Sequence, residues 1–224
     1  MRKIVTIILL LVASVGYSQT TFLLEAGTNN QYGTAGSTLT WTTTTGAILS
    51  QANNTGFKTS STIASTTLAV NTTVGGTTMF GQFISPALKA QTISGTVTGY
   101  ARASIANATG ATCSTAVKIT VINRAGSIVA TLRAMTNGSG TLTTTLTSYT
   151  ILNAAALTSY TCADGDRICI EIGIIRTAGT TARNGTLSFG SSSATNISAA
   201  GSTTANNPVV TFSGTLTFMK GFQF

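Results

Sequence analysis

The chain has no histidine, and four carboxylates, Glu25, Asp164, Asp166 and Glu171, serve all 224 residues. General acid–base and metal chemistry draw chiefly on His, Asp, Glu and Cys. The usual catalytic constellations therefore cannot be assembled, and a non-enzymatic role without cofactor or metal is expected. Charged residues make up only 7% of the chain. The basic ones stand singly, as at Lys58, Arg102, Lys118, Arg124, Arg133, Arg176 and Arg183. With neither a basic cluster nor interleaved aromatics, nucleic-acid binding is not expected. No apolar run reaches the ~20 residues of a membrane-spanning helix. Helical periodicity is nearly missing, and no fixed repeat argues for a solenoid.

What is there begins with a basic start (Arg2, Lys3), an apolar run from Ile4 to Val15 and a small, polar exit through Gly16, Tyr17 and Ser18. That is the layout of a secretory signal peptide, so residues 1–18 are read as a leader and 19–224 as one domain, secreted or at the cell surface. Removing Arg2 and Lys3 from the net charge of +8 leaves +6. Export permits disulfides. With Cys113, Cys162 and Cys169 the count is odd, and Cys113–Cys162 is the preferred pair because both lie at strand edges. None of the three has the doubled Cys-x-x-Cys spacing of a zinc site.

Threonine makes up about one residue in five, and its branched Cβ favours a pleated surface. Alternation of period two recurs along the chain. The clearest run is Asp166 to Arg176, with Ile168, Ile170, Ile172 and Ile174 on one face and Arg167, Cys169, Glu171 and Gly173 on the other; this pattern predicts a central strand. Similar runs cover Thr92–Ala103, Ala116–Asn123, Ser127–Ala134 and Val210–Phe218. Weaker ones cover Thr20–Ala26, Ser37–Thr45, Ile63–Val70, Thr78–Ser85, Thr141–Ile151 and Thr186–Gly190. Asn137-Gly138, Asp164-Gly165 and Asn184-Gly185 read as tight turns. The fold predicted is all-β: an antiparallel two-sheet β-sandwich of jelly-roll type. Its core is predicted to hold Ile168, Ile170, Ile172, Ile93, Val97, Val117, Ile119, Val121, Leu132, Phe212 and Leu216. Ser191–Asn207 reads as a mobile loop. The alternating aromatics from Phe218 to Phe224 resemble the last strand of an outer-membrane barrel, which makes a small barrel the alternative fold.

Two segments, Gln82-Phe83-Ile84-Ser85-Pro86-Ala87-Leu88-Lys89-Ala90-Gln91-Thr92-Ile93-Ser94-Gly95 and Ala163-Asp164-Gly165-Asp166-Arg167-Ile168-Cys169-Ile170-Glu171-Ile172-Gly173, form a motif pair. With the Asn207-Pro208 entry into a final aromatic strand, they resemble a family of phage- and metagenome-encoded proteins found beside virion or tail genes. The resemblance covers most of Thr78–Phe218. It implies a β-sandwich of virion-associated, adhesive or surface-binding type, with no catalytic residue to transfer. The signal peptide departs from that pattern and favours an exported relative.

For ligand binding, rings that can stack on sugar faces are the candidates: Trp41, Tyr100 beside Arg102, and Tyr149. Ser85 with Lys89 lacks a predicted oxyanion hole and is read as structural. Glu171 lies five residues beyond Asp166, roughly 17 Å along a strand at ~3.3 Å per residue. The acids are therefore a turn and one outward carboxylate paired with a basic neighbour, not a calcium site. Thr-x-Thr pairs place hydroxyls on strand faces. The expected function is an exported structural or adhesive module, part of a surface or virion-like assembly, with envelope-glycan binding as the alternative. Self-assembly is expected through the long apolar strand Pro208–Phe224.

Overall fold

The computed structural model describes residues 19–24, 52–54, 64–191, 193 and 195–219. Its regular elements are all strands: β1 (Thr20–Leu24), β2 (Ala52–Asn54), β3 (Ala64–Val70), β4 (Thr77–Ile84), β5 (Gln91–Ile93), β6 (Thr96–Ile105), β7 (Thr112–Ile122), β8 (Ile128–Asn137), β9 (Thr147–Ala156), β10 (Tyr160–Cys162), β11 (Arg167–Ala178), β12 (Arg183–Phe189) and β13 (Val209–Phe212). Seven strands make the larger sheet, in the order β2-β1-β13-β6-β12-β3 with β9 also on β6; β4-β11-β7-β8 make the smaller sheet, and β5 and β10 a two-stranded ribbon. All strand pairings are antiparallel. The hub of the larger sheet is β6: β9 runs along one side, while on the other β13 pairs with Val97–Tyr100 and β12 with Arg102–Ile105.

The two sheets pack face to face because their apolar alternation points inward. Ile168, Ile170, Ile172 and Ile174 of β11 and Val117, Ile119 and Val121 of β7 are fully buried against Val97, Ala101 and Ala103 of β6, Leu187 and Phe189 of β12, and Phe22 and Phe212. Each such side chain contributes roughly 1.5–3 kcal/mol by leaving water. Every core residue predicted from the alternation is buried, and β11 is indeed central, between β4 and β7. A filled core between two sheets replaces the closed-barrel alternative.

The departures have physical causes. Thr92–Ala103 is two strands, since the chain leaves the ribbon after Ile93 and joins the larger sheet at Thr96. Asn184-Gly185 is no turn but the start of β12. There Gly185 lets β12 sit close over the core, and a Cβ would lie 2.4 Å from Ile174 Cδ1. In place of a strand from Thr141, residues 141–146 form a loop and β9 begins at Thr147.

The terminal run docks in cis. β13 lies inside the larger sheet, Leu216 N–H donates to Thr20 Oγ1, Phe218 bridges to Leu88 and its ring meets Phe22 edge-on at 6.0 Å. Within the segment through Met219, Val209–Phe212 is paired on both edges within its own chain. Residues 220–224 and the leader lie outside the described residues.

The expected Cys113–Cys162 disulfide is not formed, and all three cysteines are free and buried. Cys113 is opposite Arg176 at one end of β11, while Cys162 precedes the turn into Arg167 at the other. Nine residues of strand, about 30 Å at ~3.3 Å each, separate those ends, and a disulfide needs Cα atoms within about 7 Å.

Candidate functional site

Of the candidate rings, Tyr149 lies inside the fold and Tyr100 is half-buried. Tyr149 is 7% exposed and belongs to the core; its hydroxyl accepts the Thr143 N–H at 2.9 Å and fixes the 141–146 loop. Tyr100 and Arg102 do share the outward face of β6, but the 190–207 loop crosses that face. Arg102 is 7% exposed, and its Nη2 donates to Thr203 O at 3.0 Å; burial lowers its pKa from the ordinary value. Described residues of the loop are hydrogen-bonded to the sheet and to each other. Ser148 Oγ donates to Ala199 O and accepts from Ser202 N–H, Ser191 Oγ bonds Ala205 O, and Asn207 Nδ2 bonds Ser193 O and Asn196 Oδ1. Trp41 lies outside the described residues.

The chemistry-bearing groups are engaged in the fold. Asp164 Oδ1 accepts Ala90 N–H at 2.6 Å, and Asp166 Oδ2 accepts Ala163 N–H at 2.9 Å. Ser85 Oγ donates to Pro86 O and accepts Ile168 N–H, so it stitches β4 to β11. Glu171 does pair with a neighbouring-strand base, Lys118, at 4.0 Å. However, it is 1% exposed, not solvated, and it also accepts Gln82 Nε2 at 3.0 Å. Burial raises its pKa, an effect that Gln82 and Lys118 partly oppose. Burial likewise raises the pKa of all three thiols, which suppresses the reactive thiolate. Among the described residues no three metal-ligating side chains cluster. The threonine hydroxyls pair across strands, Thr21 with Thr211, Thr67 with Thr186 and Thr92 with Thr161, at 2.9–3.0 Å. They thus stabilise the sheet.

An open site lies at the end of the sandwich where β6, β11 and β12 meet their loops. A cleft of about 330 Å³ is lined by Ala69, Ala106, Asn107, Ala182, Arg183 and Asn184. Register builds it: Asn184 pairs with Ala69 and Arg183 with Val70, and Ala106 N–H donates to Asn184 O at 2.8 Å. Asn107 Oδ1 accepts Thr109 N–H and holds the 106–111 loop in a tight turn. Gly179, at φ +72°, lets the 179–182 loop lie against that loop, since a Cβ there would be 2.3 Å from Gly110 O.

Arg183 is fixed in the cleft. Nη1 donates to Ala182 O at 2.9 Å and Nη2 to Thr109 O at 2.6 Å. Each Nη carries a second N–H, and no carboxylate pairs with the guanidinium: the ion pair among the described residues is Lys118–Glu171. Arg176, wholly buried at the same end, gives Nε to Asn71 O at 3.0 Å. Its two Nη groups have no hydrogen-bond partner. The 106–111 and 177–184 segments contain no acid. Sequence reading placed Arg183 only among the scattered bases, because no spacing links it to Asn107; strand register does. Neither protein-family models nor curated proteins match the chain.

Proposed function

We propose that the protein is an exported, non-catalytic surface module of adhesive or structural type, belonging to a cell-surface or virion-like assembly. The observation that carries this reading is that the described carboxylates and thiols are all buried or bonded within the fold, so threonine, amide and basic groups face solvent on the described surface. Such groups recognise and hold; they do not transfer protons near neutral pH. The leader-like first residues and the phage-associated motif pair support export and surface attachment. Jelly-roll connectivity is part of the proposal, supported by chain crossings between sheets at β3–β4, β6–β7, β8–β9 and β11–β12. The test is to express the full chain, fractionate the cells and measure binding of the exported protein to isolated envelope. Recovery from the cytosol without envelope binding would refute it, as would hydrolase turnover abolished by Glu171→Gln.

Self-assembly is favoured by one observation: β8 is an edge strand of the smaller sheet, with Ile128 and Val129 42% and 40% exposed. Unpaired apolar edges template strand addition. Thr158 N–H already occupies Leu132 O, which leaves the Ile128–Ala130 stretch. Sedimentation of the full chain against Val129→Lys tests this: oligomers lost in the variant support it, and a monomer in both removes it.

A further inference from the structure

The cleft at the arginine end has the chemistry of a site for one class of ligand. Its polar lining residues are Arg183, whose guanidinium has spare N–H groups, Asn107 and Asn184. Asn107 Nδ2 remains available because Oδ1 is the atom that holds the loop. Ala69, Ala106 and Ala182 supply a small apolar floor. At about 330 Å³ the cleft falls at the small end of ligand pockets, ~300–1,000 Å³, and suits one residue of a polymer, not a large cofactor.

We infer that this cleft binds a carboxylate-bearing sugar, a uronate-type residue of an acidic polysaccharide, with Arg183 on the carboxylate and Asn107 and Asn184 on the hydroxyls. Three observations converge. A guanidinium matches a carboxylate through paired N–H donors, and Arg183 is held in place by two backbone carbonyls before any ligand arrives. Preorganisation of that kind lowers the cost of binding. Among the described residues no acid pairs with it, and the buried Arg176 charge at the same end adds a positive field. The flanking groups are amides and methyls, not further cations, which favours a monoanion with hydroxyls and C–H faces over a phosphate chain.

This inference rests on the surface-module reading, but the two fail separately. The experiment is an NMR titration of the full chain with sodium glucuronate, with glucose and inorganic phosphate as separate arms. The expected result is saturable shifts at Asn107, Ala182, Arg183 and Asn184, with a dissociation constant on the order of 1 mM and at least tenfold weaker response to glucose. Ala69→Glu adds a carboxylate at an exposed strand position facing Asn184; it should weaken binding at least tenfold and leave the rest of the spectrum in place. Arg183→Gln should do the same, and because it also loosens Thr109, Ala69→Glu is the deciding variant. Non-saturating shifts, equal binding in Ala69→Glu, or phosphate binding as well as glucuronate would overturn the assignment. Envelope attachment that survives loss of glucuronate binding would remove the cleft while leaving the module; glucuronate binding by a protein that never leaves the cytosol would do the reverse.

Discussion

At the end of the sandwich formed by the 86–90, 123–127 and 163–166 loops, the exposed Asp164 and the buried Asp166 lie among Lys89, Arg124 and Arg167, and each carboxylate accepts a backbone N–H. At the opposite end Arg176 and Arg183 stand with no described acid, and their donors reach only main-chain carbonyls. Both ends close the same two sheets. Where charges of both signs meet satisfied backbone groups they build a turn; where one sign is left over, it can attract a partner. The asymmetry is a statement about which end is structural and which is available.

The strongest way to break the comparison is Gly179→Ala. Left-handed backbone costs an L-residue roughly 1–2 kcal/mol, and overpacking adds a similar amount. With Gly110 O in the way of the new Cβ, a loss of about 3 kcal/mol is expected in urea denaturation, together with loss of glucuronate binding. A loss below about 1 kcal/mol would mean that the 106–111 and 179–182 loops do not depend on each other.

Asp166→Ala strikes the other end. It removes the acceptor of Ala163 N–H from a buried site, and the expected cost is about 1–2 kcal/mol. Glucuronate binding should not change. A smaller drop in stability accompanied by weaker binding would show that the ends are not independent.

Between the ends, Glu171 sets a pH dependence. Its folded pKa is raised by burial, so the folded state holds the proton more tightly than the unfolded chain does. Its stabilising contribution is fully present below the unfolded carboxyl value, about 4.3, and is lost as pH rises through the folded pKa. Glu171→Gln should flatten that fall in thermal melts recorded from acid to neutral pH. An unchanged slope would mean another group is responsible.

The smallest effect concerns the cysteines. With all three buried and free, the native chain should take up no alkylating reagent over the time in which the unfolded chain takes up three, as read by intact mass. One fast-reacting native thiol would contradict the packing around it.

Much of this fold could be read from alternation. The isoleucines of β11 declared their face because a period of two points every other side chain inward, and the same logic placed Val117, Ile119, Val121 and Leu132. Turn chemistry was less reliable: Asn184-Gly185 has the composition of a hairpin turn, yet Gly185 is there for close packing against Ile174. Alternation also does not say whether the second face is solvated, and Cys169 and Glu171 are buried on it. Tyr149 looked like a binding group although its ring belongs to the core, and Arg102 because a base on a polar face is ambiguous until one knows what crosses it. The 190–207 loop does. Arg183 was invisible for the converse reason: its partners in the cleft come from β3, the 106–111 loop and β12, which only strand register brings together.

The most direct test sets the two ends against each other in one measurement: retention of the full chain on a polyuronate-coated surface, compared for wild type, Ala69→Glu and Asp166→Ala alongside their melting temperatures. The account predicts that Ala69→Glu loses retention with its melting temperature unchanged, while Asp166→Ala melts lower and is retained like wild type. Retention that survives Ala69→Glu and falls with Asp166→Ala would contradict it.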